Sequence, residues 1–345
     1  MTSAAAPNTT DGKRKAVVML SGGLDSTLAL AITKKLGFEP IALSLKTPFC
    51  NFDCGGGACA GDVSDVARRQ GVQWVAEELG EEYIEMVRNP RHGRGKGMNP
   101  CIDCRVMMYK VGKKYMDEIG ADFIVTGEVL GQRPMSQNLR AMEIIERESG
   151  LEGKILRPLS AKLLKPTEAE QNGVVDRNRL LDISGRSRKV QMALAKELGI
   201  GRYPNAAGGC ILTERAYSNR LRDLFEHSEK VTKKDVDLLK VGRHFRLSQN
   251  SKLVVGRNMV ENNEIILLAN DEDRLLSVRD YVGPVCLIQG DFDEQKDRAA
   301  GICVRYSDAP KGERVTVRFY TKQGKTLGEL ESIPLDDDVI RALRI

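Results

Sequence analysis

Apolar residues in the first two thirds of the chain fall alternately into short continuous runs and helically spaced sets. Ala16-Val17-Val18-Met19-Leu20 has the length and continuity of a buried strand. A glycine-containing turn follows, and the spacing then predicts a helix from about Ser26 to Leu36. Pro40 to Leu45 reads as a second strand, Val63 to Gln70 as a helix and Val72 to Ala76 as a short strand. Arg105 to Ile119 has helical spacing, and Ala121 to Val125 is a further strand ending at Thr126-Gly127. Alternating strands and helices imply an α/β fold, a doubly wound parallel sheet with helices on both faces. Ligands of such sheets bind beyond the C-terminal ends of the strands. Lys189 to Leu198, closed by Gly199, and Arg215 to Phe225 add two helices.

From Arg243 onward the pattern changes. Short β-like runs appear at Lys252–Val255, Glu264–Leu268, Pro284–Ile288, Ala300–Arg305 and Arg314–Phe319. They predict a second, smaller, β-rich α+β domain, with the boundary between Ser228 and Leu239. The expected layout is a disordered tail over 1–14, an α/β domain over 15–228 and the second domain over 240–345. The last holds about 100 residues, enough for a core of its own.

Composition narrows the class. The 345 residues contain no apolar run of membrane-spanning length, so no transmembrane helix is expected. Met1 to Lys15 lacks the apolar core of a secretory signal, which makes the cytoplasm the expected location. A net charge of +5 permits an RNA partner without demanding one. Of eight cysteines, five fall between Cys50 and Cys104, a clustering that favours metal or redox chemistry over a disulfide framework. Only three histidines occur, which disfavours a mechanism built on several imidazoles.

Ser21-Gly22-Gly23-Leu24-Asp25-Ser26 lies between a predicted strand and a predicted helix. The glycines let consecutive N–H groups converge on an anion, and the helix adds its unpaired N–H groups and positive dipole end. Ser21 and Ser26 supply hydroxyl donors. Asp25 repels bare phosphate, so it serves as an indirect Mg²⁺ ligand or as a brace of the loop. No Gly-Lys-Ser/Thr follows, so this is not a Walker A loop. The motif resembles the PP-loop of the ATP-pyrophosphatase family. That resemblance implies an adenine nucleotide alpha hydrolase-like fold and cleavage of ATP between the α and β phosphates, with adenylation of a substrate oxygen. It also places the adenine near Ser44 and Thr126-Gly127.

Cys101-Ile102-Asp103-Cys104 follows Asn99-Pro100 at a helix start. Alone, such a pair reads as half of a zinc site, a redox pair or part of an iron–sulfur site. Together with Thr126-Gly-Glu-Val-Leu-Gly-Gln132, Gly185-Arg-Ser-Arg188 and Ala207-Gly-Gly-Cys210, it resembles the thiouridine-forming branch of PP-loop enzymes, the tRNA 4-thiouridine and 2-thiouridine synthetases. The resemblance covers about residues 15 to 226. It implies a tRNA sulfurtransferase in which Cys101, Cys104 and Cys210 hold a [4Fe-4S] cluster whose open iron binds hydrosulfide. In the rival route, Cys210 carries a persulfide and Cys101 or Cys104 resolves a disulfide. The implied cofactors are ATP, Mg²⁺ and the [4Fe-4S] cluster. The implied partners are tRNA and a sulfide or persulfide donor such as a cysteine desulfurase. Cys50, Cys54 and Cys59 form a second group that reads as a labile metal site, a sulfur relay or a loop of thiols. Cys286 and Cys303 lie in apolar runs and read as core.

Arg88-Asn-Pro-Arg-His-Gly-Arg-Gly-Lys96, just before the cysteine pair, is a candidate grip for RNA phosphates, as is Gly185–Lys189. Lys252-Leu-Val-Val-Gly-Arg-Asn258, Glu261-Asn262-Asn263, Asp271 and Val278–Gly283 resemble the NFACT-R RNA-associated domain over about residues 240 to 290. The tryptophan of that domain's middle motif has no counterpart, since Trp74 is the chain's one tryptophan. The resemblance implies a unit that holds tRNA. Two rivals remain at this level: a PP-loop sulfurtransferase or ligase acting on a small molecule, and a non-catalytic RNA-binding or metal-sensing protein.

Overall fold

The central strand of the first sheet, β1 (Lys15–Met19), is buried along its length because both of its faces are covered. Ala16 and Val18 pack into one apolar cluster and Val17 into another. The computed structural model describes residues 13–50, 63–201 and 210–345. By contacts the chain divides into two units, residues 1–210 and 211–345.

In the first unit β2 (Glu39–Lys46), β3 (Gln73–Glu78), β4 (Phe123–Thr126) and β5 (Ile155–Leu156) join β1. The order is β3-β2-β1-β4-β5, and every pair is parallel. The chain winds from β1 to one side through β2 and β3, then returns to β4 on the other side. A topological switch point therefore lies between the ends of β1 and β4, where such sheets bind ligands. Helices α1 (Leu24–Lys35), α2 (Val63–Arg69), α3 (Glu81–Arg88), α4 (Cys101–Ile119), α5 (Leu139–Ser149), α6 (Glu168–Gln171) and α7 (Lys189–Glu197) complete the unit. The Cys-x-x-Cys pair, expected just ahead of a helix, forms the first turn of α4.

In the second unit, α8 (Arg215–His227) and α9 (Lys233–Leu238) precede a six-stranded antiparallel sheet. Its strands are β6 (Arg243–Ser248), β7 (Ser251–Val255), β8 (Arg274–Val278), β9 (Cys286–Gln289), β10 (Val315–Tyr320) and β11 (Thr326–Ser332). Their order is β11-β10-β8-β9-β7-β6. Helices α10 (Met259–Leu268), α11 (Phe292–Arg305) and α12 (Asp337–Leu343) complete it. Cys286 and Cys303 are fully buried, as the sequence suggests.

Three sequence expectations change here. Glu264–Leu268, read as a strand, lies in α10: Asn258 caps the helix by accepting the Glu261 N–H at 3.0 Å, and the apolar run has no alternation that a half-buried strand would need. Ala300–Arg305 is the second half of α11, whose first turn carries Asp293 and Glu294 where the helix dipole favours them. The division of the chain falls after Cys210, ahead of the expected 228–239. The cause is α8. Its Tyr217 hydroxyl donates to the Val236 carbonyl at 3.3 Å, its Arg220 to the Leu239 carbonyl at 2.9 Å, and its Asp223 accepts from Arg246 at 3.0 Å.

Candidate active site

The turn after β1 is shaped by Gly22, at φ 76°, and by the serines around it. The Ser26 hydroxyl donates to the Gly23 carbonyl at 3.0 Å and stands 3.1 Å from the Ser21 hydroxyl, while the Ser21 N–H donates to Ser26 at 3.3 Å. Gly23 is the N-cap of α1 and brings no side-chain cap, so the helix end keeps its N–H groups for an anion. Gly127, directly after β4, meets this turn. A Cβ there would stand 2.5 Å from the Asp25 carbonyl oxygen, so only glycine lets the two backbones pass. Thr126 is buried beside it, and its hydroxyl accepts the Glu128 N–H at 3.5 Å. Ser44, at the end of β2, donates to the Leu20 carbonyl at 2.8 Å and accepts from the Trp74 indole at 3.0 Å. Its hydroxyl braces the floor beneath the turn.

Asp25 accepts from the Gln132 side chain at 3.1 Å through one oxygen. Its other oxygen, Oδ1, is buried with no hydrogen-bond partner. Burial pushes its carboxyl above the usual range, against the pull of Gln132, Arg188 and Arg133. An orphaned buried carboxylate oxygen beside an anion cradle is a fitting place for Mg²⁺ or one of its waters.

The thiols lie at the start of α4. The Asn99 amide donates to Cys101 Sγ at 3.2 Å, and the buried Tyr83 hydroxyl donates to Cys104 Sγ at 2.8 Å. Burial holds both thiols above their usual range, with Arg105 pulling the other way. The Tyr83 hydroxyl is raised by burial first and then by the charges of Cys104 and Cys210, and Cys101 and Cys50 add to the rise of Cys104. Cys210 is exposed. Among the described residues no three Cys, His, Asp or Glu side chains converge as metal ligands. Cys54 and Cys59, the tail through 12, and residues 207–209 of the Ala207–Cys210 motif lie outside the described residues.

Three features were not read from the sequence. The Tyr83 contact is one. The second is the buried carboxylate Glu128, held between Arg157 at 3.0 Å and Arg105 at 3.5 Å, with Arg157 also paired to Glu146. The third is Gln132. Glu128 and Gln132 stand within the Thr126–Gln132 motif, whereas Tyr83 and Arg157 carry no local signal. The basic loop 88–96 is partly occupied with its own fold. Arg94 donates to the Val87 and Arg88 carbonyls at 3.1 and 2.6 Å, closing the end of α3, and Arg91 pairs with Glu148 at 3.5 Å. The loop is pinned by Asp103, which accepts the Arg91 and His92 N–H groups at 3.1 Å. No helix among the described residues is long and apolar enough to cross a membrane.

Residues 11–163 match the family model described as thiamine biosynthesis protein (ThiI), and residues 242–344 match the NFACT protein RNA binding domain. The tRNA-specific 2-thiouridylase MnmA of Mannheimia succiniciproducens is 23% identical over 96% of this chain and 85% of that protein. The MnmA of Desulfitobacterium hafniense is 35% identical over 33% of this chain and 34% of its own length. A crystal structure of a 4-thiouridine synthetase–RNA complex with bound ATP aligns with a TM-score of 0.40 and 21% identity, over 59% of this chain and 46% of that one. The chain is thus similar to ThiI over residues 11–163, to the MnmA tRNA 2-thiouridylases over nearly its whole length, and to the NFACT RNA-binding domain over residues 242–344.

Proposed function

We propose that the protein converts a tRNA uridine to 2-thiouridine with ATP, the sulfur being carried on cysteine. The observation that carries this reading is the meeting of Gly127 and Gln132 with the phosphate loop, on the same unit as the thiol helix. Asp25, with its unpartnered buried oxygen, would hold Mg²⁺, which would supply neutralisation of the charge on the leaving pyrophosphate. The backbone N–H groups of Gly22 to Asp25 and the hydroxyls of Ser21 and Ser26 hold that pyrophosphate. The uridine carbonyl oxygen attacks the α-phosphorus; the new O–P bond forms as the bond to the β-phosphate oxygen breaks.

Cys210 is the sulfur carrier, since it is exposed to a persulfide donor such as a cysteine desulfurase. The terminal sulfur of its persulfide attacks the activated carbon, and AMP leaves with the original oxygen. The Cys101 thiolate then attacks Cys210 Sγ and releases the thiolated base. A Cys101–Cys210 disulfide remains, and an external dithiol reduces it to restore both thiols. A [4Fe-4S] cluster held by Cys101, Cys104 and Cys210 is the rival route, and the test below separates the two.

The test follows unmodified tRNA, ATP, Mg²⁺ and a persulfide donor through tRNA-dependent pyrophosphate release and nucleoside mass spectrometry. The expected product is 2-thiouridine, and Cys101→Ser and Cys210→Ser should each remove it while sparing pyrophosphate release. Anaerobic protein that binds iron and sulfide stoichiometrically through Cys101, Cys104 and Cys210 would replace the persulfide step with a cluster. Thiolation of a small molecule without RNA would defeat the tRNA assignment.

A further inference from the structure

The segment after β4 runs from the phosphate loop toward the thiol helix. At one end Gln132 donates to Asp25 at 3.1 Å. Three residues on, Met135 packs over Gly95, its sulfur 2.4 Å from where a Cβ on that glycine would stand. The Gly95 N–H donates to the Asn99 carbonyl at 2.9 Å, and the Asn99 amide reaches Cys101 Sγ at 3.2 Å. The stretch is braced from within and from the side: Gly131 N–H to the Gln137 carbonyl at 2.6 Å, Gln137 N–H to the Arg133 carbonyl at 2.9 Å, and Gly185 N–H to the Leu130 carbonyl at 2.7 Å.

Arg133 sits on this braced stretch between its two anchor points. Its side chain is exposed. Its charge is felt both by Asp25 in the loop and by Cys101 on α4, so the guanidinium lies within electrostatic reach of both. No hydrogen bond or ion pair to that guanidinium occurs among the described residues. A cation carried on a braced backbone, without a protein partner for its side chain, is available to a ligand.

We propose that Arg133 is a catalytic residue that grips the α-phosphate, first of ATP and then of the adenylated base, in the gap between the phosphate loop and the thiols. This rests on the function proposed above. The α-phosphorus is the one centre shared by both steps: pyrophosphate leaves it toward the loop, and the base attached to it faces the sulfur. Negative charge grows on its oxygens in adenylation and again as AMP departs. The planar guanidinium meets two such oxygens at once.

The test uses the full chain with Arg133→Gln, Arg133→Lys and, as a control for lost positive charge, the exposed Arg140→Gln on α5. Arg133→Gln should lower kcat for tRNA-dependent pyrophosphate release about thirtyfold, the scale of one charged hydrogen-bonded contact, with KM for tRNA changed less than about threefold. Arg133→Lys should recover part of kcat, and Arg140→Gln should match the unsubstituted protein. AMP affinity, measured by titration calorimetry without tRNA, should fall about tenfold in Arg133→Gln alone. Equal AMP affinity, or a defect confined to KM for tRNA, overturns the assignment. Protein that binds AMP through Arg133 yet releases no pyrophosphate with tRNA would instead sink the tRNA reading and leave Arg133 standing.

Discussion

Gly127 lacks a side chain because the phosphate loop occupies the space one would fill. The contact falls on the backbone of Asp25 and Ser26, which cannot swing aside as a flexible side chain would. Gly127→Ala should therefore displace the loop, weakening ATP binding by about 2 kcal/mol, roughly thirtyfold, as overpacking does. Equilibrium binding of ATP checks this, and unchanged affinity would show that the loop adapts. Lys252 makes a different point. It is buried on β7, and burial, aided by Arg246 and Arg220, pushes its ammonium down to about 8, against the pull of Asp223 and Asp235. The unfolded chain holds that proton up to about pH 10.4, so between pH 8 and 10.4 it binds more protons than the folded chain and stability contributed by this group rises with pH. Below pH 8 the full penalty, about 3 kcal/mol, is present. Lys252→Met should raise the melting temperature at pH 7, with the gain shrinking toward pH 10. A pH-independent gain would mean packing, and not charge, is responsible. Residues of this second kind were invisible in the sequence. The Ser21–Ser26 turn was legible because its partners are neighbours in the chain. The burial of Lys252 and the Tyr83–Cys104 contact depend on residues tens of positions away.

At the scale of elements, one buried carboxylate ties four of them together. Glu128 follows β4, Arg157 follows β5, Arg105 is on α4 and Glu146 is on α5. Burial pushes the Glu128 carboxyl up, but Arg157 and Arg105 overrule it and hold it below its usual value. Removing the negative charge leaves two cations facing each other in a dry site. Glu128→Gln should cost about 3–5 kcal/mol of stability, the range found when one partner of a buried pair is lost. The sign with pH is fixed. A lowered folded-state value contributes stability that is present above about pH 4.5 and lost as pH falls through the lowered value. Denaturant melts of both proteins should therefore converge in acid and stand furthest apart near neutrality; parallel curves would refute the charge argument. The elements themselves were mostly legible in the first unit, where buried strands and amphipathic helices differ in period. In the second unit the same reasoning took parts of α10 and α11 for strands. Both runs are short and continuously apolar, a pattern on which the two periods cannot be told apart. What decided for helix lay outside them, in the Asn258 cap and the acidic first turn of α11.

At the scale of the molecule, the phosphate loop and the match to an RNA-binding domain fall on different units. The phosphate loop, Gly127 and the paired thiols belong to residues 1–210, whereas the match to an RNA-binding domain lies wholly within 211–345. The second unit buries its own apolar cluster on each face of its sheet: Phe245, Leu276 and Ile302 in one, Val254, Leu275 and Leu287 in the other. Two covered faces and a helix α8 tied to β6 and α9 are what independent folding requires. Residues 211–345 expressed alone should thus melt cooperatively and bind tRNA. Because phosphate contacts release counterions, that affinity should fall steeply as salt rises. The complementary piece, ending at Cys210, should still bind ATP and AMP. With tRNA it should show its loss in KM far more than in kcat, since the groups touching the α-phosphate and the sulfur remain in it. Filter binding across a salt series and steady-state kinetics of both pieces separate the roles. An unaltered KM for tRNA in the shortened chain would assign the grip to the first unit, and with it the unpaired positive charge of loops such as 185–189.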